Sequence, residues 1–128
     1  MRLGLEARVL MPGNQTDVAP WLQALDVFAL PSYANEGVPQ ALMQAMAVGV
    51  PVVSTPVGSV DELVRHGETG LMVPPQDADA LRAAIERLLG EPALSRRLVQ
   101  AARAWVRERY SRERMLDSME AVFCSVAA

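Results

Sequence analysis

Lysine is absent from this sequence, and all 12 basic residues are Arg. Without an amine side chain there is no Schiff-base nucleophile and no P-loop lysine to grip a phosphate. Cysteine occurs once, at Cys124, which excludes an internal disulfide framework and a multi-thiolate metal centre. Aromatic residues make up 5%, so a core has to come from Leu, Val, Ala and Met. No apolar run approaches the roughly 20 residues of a membrane span, and the opening Met1-Arg-Leu-Gly lacks the pattern of a signal peptide. The net charge of −3 points away from nucleic acid as a partner. The expected compartment is the cytoplasm.

What is present describes a globular chain. Its 128 residues are one domain or part of one, and 51% apolar with 21% charged is too hydrophobic for a disordered segment. Four short aliphatic runs predict buried strands: Arg8 to Met11, Val27 to Leu30, Pro51 to Ser54 and Gly70 to Val73. Helical segments lie between them at Val18 to Leu25, Pro39 to Ala47 and Val60 to Arg65. Strands that do not alternate strictly are expected where helices cover both sheet faces. The fold class is therefore α/β, a partial doubly wound parallel sheet of about four strands.

From Asp77 the pattern becomes helical throughout. Asp77 is an N-cap candidate, with Leu81, Ile85, Leu88 and Leu89 forming an apolar stripe. Gly90 is placed to end that helix, and Pro92 to open the next at its first turn. Leu94, Leu98, Ala101, Ala102 and Trp105 continue a stripe through this second helix. A third helix runs from Ser111 to about Ser125, with Met115, Met119, Val122 and Phe123 expected inward. Cys124 is expected to be a small buried hydrophobe. The chain divides into a β/α part, residues 1–76, and a helical tail, residues 77–128, within one domain. The first strand leads into Pro12-Gly-Asn rather than a glycine-rich phosphate loop, so the front of the sheet is expected to lie outside this chain.

The most informative segment starts at Pro31. A strand ends there, a polar loop follows, and a helix opens near Val38 or Pro39. Glu36 and Gly37 thus fall at the carboxyl edge of a parallel sheet and at a helix N-terminus. Open α/β sheets bind ligands at that edge, and first-turn amides with aligned peptide dipoles favour a phosphate. Gly37 permits close backbone approach, and the Glu36 carboxylate suits hydrogen bonds from sugar hydroxyls.

The run resembles the donor-binding half of retaining glycosyltransferases of family 4, which have the two-domain GT-B fold. The matching pieces are Asp26-Val-Phe-Ala-Leu-Pro-Ser, Glu36-Gly-Val-Pro, Ala45-Met-Ala-Val-Gly-Val-Pro-Val-Val and Gly58-Ser-Val-Asp-Glu. They continue through Gly67-Glu-Thr-Gly-Leu-Met-Val-Pro-Pro-Gln-Asp. The resemblance is dense over residues 9 to about 90 and loose in the tail. It implies that Glu36 contacts the donor sugar, Gly37 and Val38 offer amides to the diphosphate, and Gly58 and Ser59 lie near the nucleoside. It implies a nucleotide-diphosphate sugar as donor substrate, no metal cofactor, and an acceptor-binding amino-terminal domain as partner. By analogy it also implies a glycan or lipid-linked acceptor and contact with the inner face of a membrane.

Two departures stand out. The family's second glutamate, eight positions after the first and assigned to the ribose diol, is replaced by Gln44. A neutral hydrogen bond is worth roughly 1 kcal/mol against about 1.5–3 for a charged one, which predicts ribose binding weaker by about tenfold. The family's Arg and Lys that neutralise the diphosphate have no counterpart in residues 1–25, where Arg2 and Arg8 lack the family context. With the acceptor domain also outside the chain, the chain alone is expected to be inactive or nearly so.

Other features have plainer readings. Asp77-Ala-Asp79 has the form of a metal-binding Asp-x-Asp, but it opens an apolar-striped helix and reads as a cap. His66, beside Gly67, reads as a loop or helix-end residue. Residues 91–114 hold seven Arg against three Glu, a surplus of +4 that makes either a solvated face, a packing face or a lipid-headgroup contact. The alternative function is a non-catalytic domain that binds a protein partner or forms a homodimer. The related sugar-nucleotide 2-epimerases share the architecture but lack the full series of motifs.

Overall fold

The computed structural model describes residues 3–34 and 36–127. Met1 and Arg2, named above, and Asn35 of the polar loop after Pro31 lie outside the described residues.

Three aliphatic runs become strands: β1 (Phe28–Leu30), β2 (Val52–Ser54) and β3 (Leu71–Met72). They form a parallel sheet in the order β1-β2-β3, with Phe28 opposite Val52 and Val53 opposite Leu71. β2 lies in the middle and is buried along its whole length. Helix α1 (Ala19–Gln23) precedes β1, and its Leu22 is buried with α2. The crossovers are helices α2 (Gln40–Val48) and α3 (Val60–Leu63). Leu42, Ala45 and Met46 of α2 pack with Val60 and Leu63 of α3 against Val52, so both crossovers cover one sheet face. Gly49 stops α2 in the left-handed conformation, φ 94°, and returns its N–H to the Ala45 carbonyl at 3.2 Å.

Helices α4 (Ala78–Gly90) and α5 (Pro92–Arg109) follow β3. Asp77 caps α4, its Oδ1 accepting the Ala80 N–H at 2.8 Å. Ala84 and Leu88 of α4 join Leu98 of α5 against Val53, Leu71 and Val73, covering the second face. Further along α5, Ala102 and Val106 belong to the first cluster, so this helix reaches both layers. Trp105 lies between two guanidiniums, with Arg65 at 3.9 Å and Arg109 at 4.5 Å from its ring centroid. Within the stripes, Leu89 and Ala101 turn outward, and Ala84 takes a core position that the larger residues had suggested.

Two expectations are corrected. Arg8 to Met11 is not a strand. Glu6–Arg8 is a 3₁₀ turn, and Val9, Leu10 and Met11 are exposed. β propensity makes a strand only where a neighbour supplies the ladder, and among the described residues none pairs with this segment, so the sheet has three strands rather than four. In α6 (Arg112–Ala127), Met115, Met119, Val122 and Phe123 face outward, and Cys124 is exposed rather than buried. Periodicity identifies the helix and its apolar stripe correctly, but among the described residues that stripe is left open. No helix of the described residues is long and apolar enough to cross a membrane.

Candidate functional site

The carboxyl ends of the strands gather Pro31 and Ser32 after β1, Thr55 after β2, and Val73 and Pro74 after β3. Two hydroxyls at the end of β2 fasten the loop that leaves β1. Ser54 Oγ donates to the Leu30 carbonyl at 2.8 Å, and Thr55 Oγ1 donates to the Ser32 carbonyl. Both hydroxyls are buried, so these bonds satisfy groups that would otherwise be stranded away from water.

Glu36 is held at two points. Ser32 Oγ donates to its Oε1, and its own carbonyl accepts the Ser59 N–H at 3.2 Å. The residue is half-buried. Among the described residues Oε2 has no hydrogen-bond partner, which leaves an acceptor at the carboxyl edge of the sheet. Gly58, with φ +58°, brings the turn before α3 against the Glu36 backbone. Gly37 and Val38 follow in the open, with empty space where a side chain on Gly37 would extend. Pro39 precedes α2 and gives it no side-chain cap, so the amides of the first turn have no side-chain acceptor. Carboxylate, exposed amides and an uncapped helix start therefore adjoin one another.

Gln44 is elsewhere. It sits in the second turn of α2 and is half-buried. It lines a cavity of about 330 Å³ with Asn14, Gln15 and Trp21, and another of about 350 Å³ with Met43, Tyr110 and Met115. Glu36 is in neither wall. The structure thus joins Glu36, Gly58 and Ser59, keeps Gly37 and Val38 adjacent, and sets Gln44 against the 12–22 segment. A smaller cavity of about 220 Å³, lined by Pro31, Thr55, Val73 and Asp77 among others, opens at the same sheet edge beside α4. Among the described residues no group of three or more His, Cys, Asp or Glu could hold a metal ion. His66 takes a local structural part, its Nδ1 accepting the Met72 N–H at 2.9 Å.

Residues 1–91 match the family model for glycosyl transferases group 1. The chain belongs to that family. The lipopolysaccharide core biosynthesis glycosyltransferase LpsE of Rhizobium meliloti is 35% identical over 116 residues, covering 91% of this chain and 34% of its own length. The lipopolysaccharide core biosynthesis mannosyltransferase LpcC of Rhizobium leguminosarum is 34% identical over 123 residues, covering 96% of this chain and 35% of its own. Among solved structures, Anabaena HepE in complex with UDP-glucose superposes with a TM-score of 0.92 at 28% identity, covering 96% of this chain and 34% of that one. Sucrose-phosphate synthase from Thermosynechococcus elongatus gives 0.79 at 36% identity, covering 85% and 27%. The chain spans about a third of the length of these relatives. Its α/β architecture is that of the carboxyl-terminal half of a GT-B glycosyltransferase.

Within this group 1 glycosyltransferase domain, sequence reasoning passed over Ser32, Ser54 and Thr55 as site residues. The available signal was a hydroxyl residue just beyond the end of two neighbouring parallel strands. Side chains of that kind reach the backbone of the adjacent loop and fix its path.

Proposed function

We propose that residues 1–128 form a single truncated nucleotide-sugar-binding domain, the donor-binding part of a retaining glycosyltransferase of family 4. The observation that carries this reading is Glu36, pinned through Ser32 and Ser59 with Oε2 open beside an uncapped helix start. Glu36 accepts hydrogen bonds from the donor sugar hydroxyls and sets the orientation of the anomeric carbon. The Gly37 and Val38 amides and the α2 dipole take the diphosphate, on which negative charge grows as the bond to the anomeric carbon breaks. Gly58 and Ser59 lie along the nucleoside, and Gln44 serves the ribose from the second turn of α2. Helix amides stand in for a metal as the counter-charge.

The acceptor is a glycan or lipid-linked sugar held by an amino-terminal domain, in the cytoplasm at the inner face of the membrane. Names of the relatives support this direction, since two of them are lipopolysaccharide core enzymes and HepE was solved with UDP-glucose. Transfer needs donor and acceptor held together, so this chain alone binds the donor without turning it over. A second reading, a protein-binding or dimerisation module, is favoured by one observation: the open apolar stripe of α6.

Saturation-transfer NMR on the purified chain with UDP-, GDP- and ADP-sugars tests the proposal. Signal from one nucleotide sugar, lost in Glu36→Ala, is the expected result. Signal from none of the three, or signal unchanged in Glu36→Ala, would overturn the donor-site reading. Turnover by the chain alone would overturn the claim of inactivity.

A further inference from the structure

On α5, Arg96, Arg103 and Arg107 stand at i, i+7 and i+11. At 3.6 residues per turn their directions fall within about 40° of one another, along a line of roughly 16 Å. All three are exposed, on the side of the helix away from the buried Leu98 and Ala102. No carboxylate stands three or four residues from any of them. Other arginines of the chain show what that spacing gives. Arg65 pairs with Glu68 at 3.7 Å, Arg82 with Asp79 at 3.7 Å, and Arg87 with Glu91 at 3.0 Å. Among the described residues the three stripe arginines have neither an ion-pair nor a hydrogen-bond partner. Arg103 is also held in place, its Cδ 3.4 Å from where a side chain on Gly49 would begin, at the negative end of the α2 dipole.

We propose that the Arg96–Arg103–Arg107 stripe docks this domain against an anionic phospholipid surface. The guanidinium fork matches phosphate oxygens two at a time, and the exclusive use of Arg keeps every charge in place at any physiological pH. Along the stripe, Gln100 and Ala104 lie between the arginines. A protein partner is gripped by large apolar or aromatic anchors, and this line has none, which favours a flat, phosphate-rich surface. The charge distribution gives the approach a direction. Residues 91–114 carry +4 while the rest of the chain carries −7, so the segment that holds the stripe is the one an anionic surface attracts. This inference stands apart from the donor-site reading and does not depend on it.

Sedimentation with vesicles of phosphatidylcholine, alone or mixed with phosphatidylglycerol, tests the stripe in the full 128-residue chain. The expected result is partition onto the mixed vesicles only, weakened by salt. At about 1 kcal/mol per arginine, R96Q/R103Q/R107Q reduces that partition on the order of a hundredfold. R82Q/R87Q, which removes two paired arginines, leaves it within about twofold of the original on the same argument. If the triple variant melts early because Arg103 has left Gly49, R96Q/R107Q keeps that contact and still loses partition about thirtyfold. Equal partition by the folded variants, no partition onto the anionic vesicles, or binding to polyglutamate or duplex DNA while vesicles are ignored would each overturn the proposal.

Discussion

Gly58 lies directly against the backbone carbonyl of Glu36: a Cβ at position 58 would stand 1.7 Å from that oxygen. The neighbouring Ser59 N–H completes the contact by donating to the same carbonyl at 3.2 Å. Two loops from adjacent strands are thereby locked face to face, and only a residue without a side chain permits it.

Gly58→Ala is expected to separate the loops. The clash is with backbone, which cannot rotate away as a side chain can, and φ +58° adds left-handed strain. Together these predict a loss of roughly 2–4 kcal/mol in urea unfolding. Nucleotide-sugar binding should fall with it, and an unchanged unfolding midpoint would contradict the geometry.

Ser32→Ala removes the one protein donor that the described residues offer to the Glu36 carboxylate. The fold should lose about 1–2 kcal/mol, the range for a hydrogen bond to a charged group that is only half-buried. The larger effect is expected on sugar binding, because the carboxylate then wanders. Titration by NMR should show affinity down about tenfold and recovered in Ser32→Thr, equivalent to roughly 1.4 kcal/mol.

Gln76, two residues before α4, has φ 59° without being glycine. A left-handed conformation costs an ordinary residue about 1–2 kcal/mol, and glycine gives part of that back through its own chain entropy. Gln76→Gly is therefore expected to raise stability by about 0.5–1 kcal/mol. Thermal melting decides, and a lower midpoint would mean that the Gln76 side chain has a compensating contact.

Tyr110 offers a clean test at alkaline pH. Burial, with the Glu62 carboxylate adding to it, pushes its phenol above the ordinary value, and the hydroxyl donates to the Glu62 carbonyl at 3.1 Å. A group with a raised folded pKa contributes stability that is complete below the unfolded value near 10 and is lost as pH rises through the folded value. The chain has no lysine whose loss of charge would overlap this change. Stability should thus fall above pH ~10, and Tyr110→Phe should flatten that fall in urea titrations between about pH 9 and 11.

Local chemistry made much of this structure legible. Asp77 before an apolar stripe, Pro92 after Gly90, and aliphatic runs closed by Pro31 or opened by Pro51 each carry their own signal, and the helices and strands there fall within a few residues of expectation. Arg8 to Met11 and the inner face of α6 misled for one reason: propensity and periodicity state what a segment can pair with, while the pairing itself needs a second surface. The loop at Glu36 was readable as a strand end meeting a helix start. Its fastening by Thr55 to Ser32 and by Ser59 to Glu36 was not, because each of those contacts joins residues 23 positions apart in the chain.

The central position of β2 has a consequence for motion. Val52, Val53 and Ser54 have strands on both sides and helices above and below, whereas among the described residues β1 and β3 each pair on one side only. Opening the domain from either edge leaves β2 paired until the last step. Amide hydrogens of β2 should therefore exchange with solvent at the rate set by global unfolding, and those of the Gly37–Val38 turn many orders of magnitude faster. The rigid floor beneath the loop and the loop's own freedom are then two ends of one stability gradient, between Val38 and Val52.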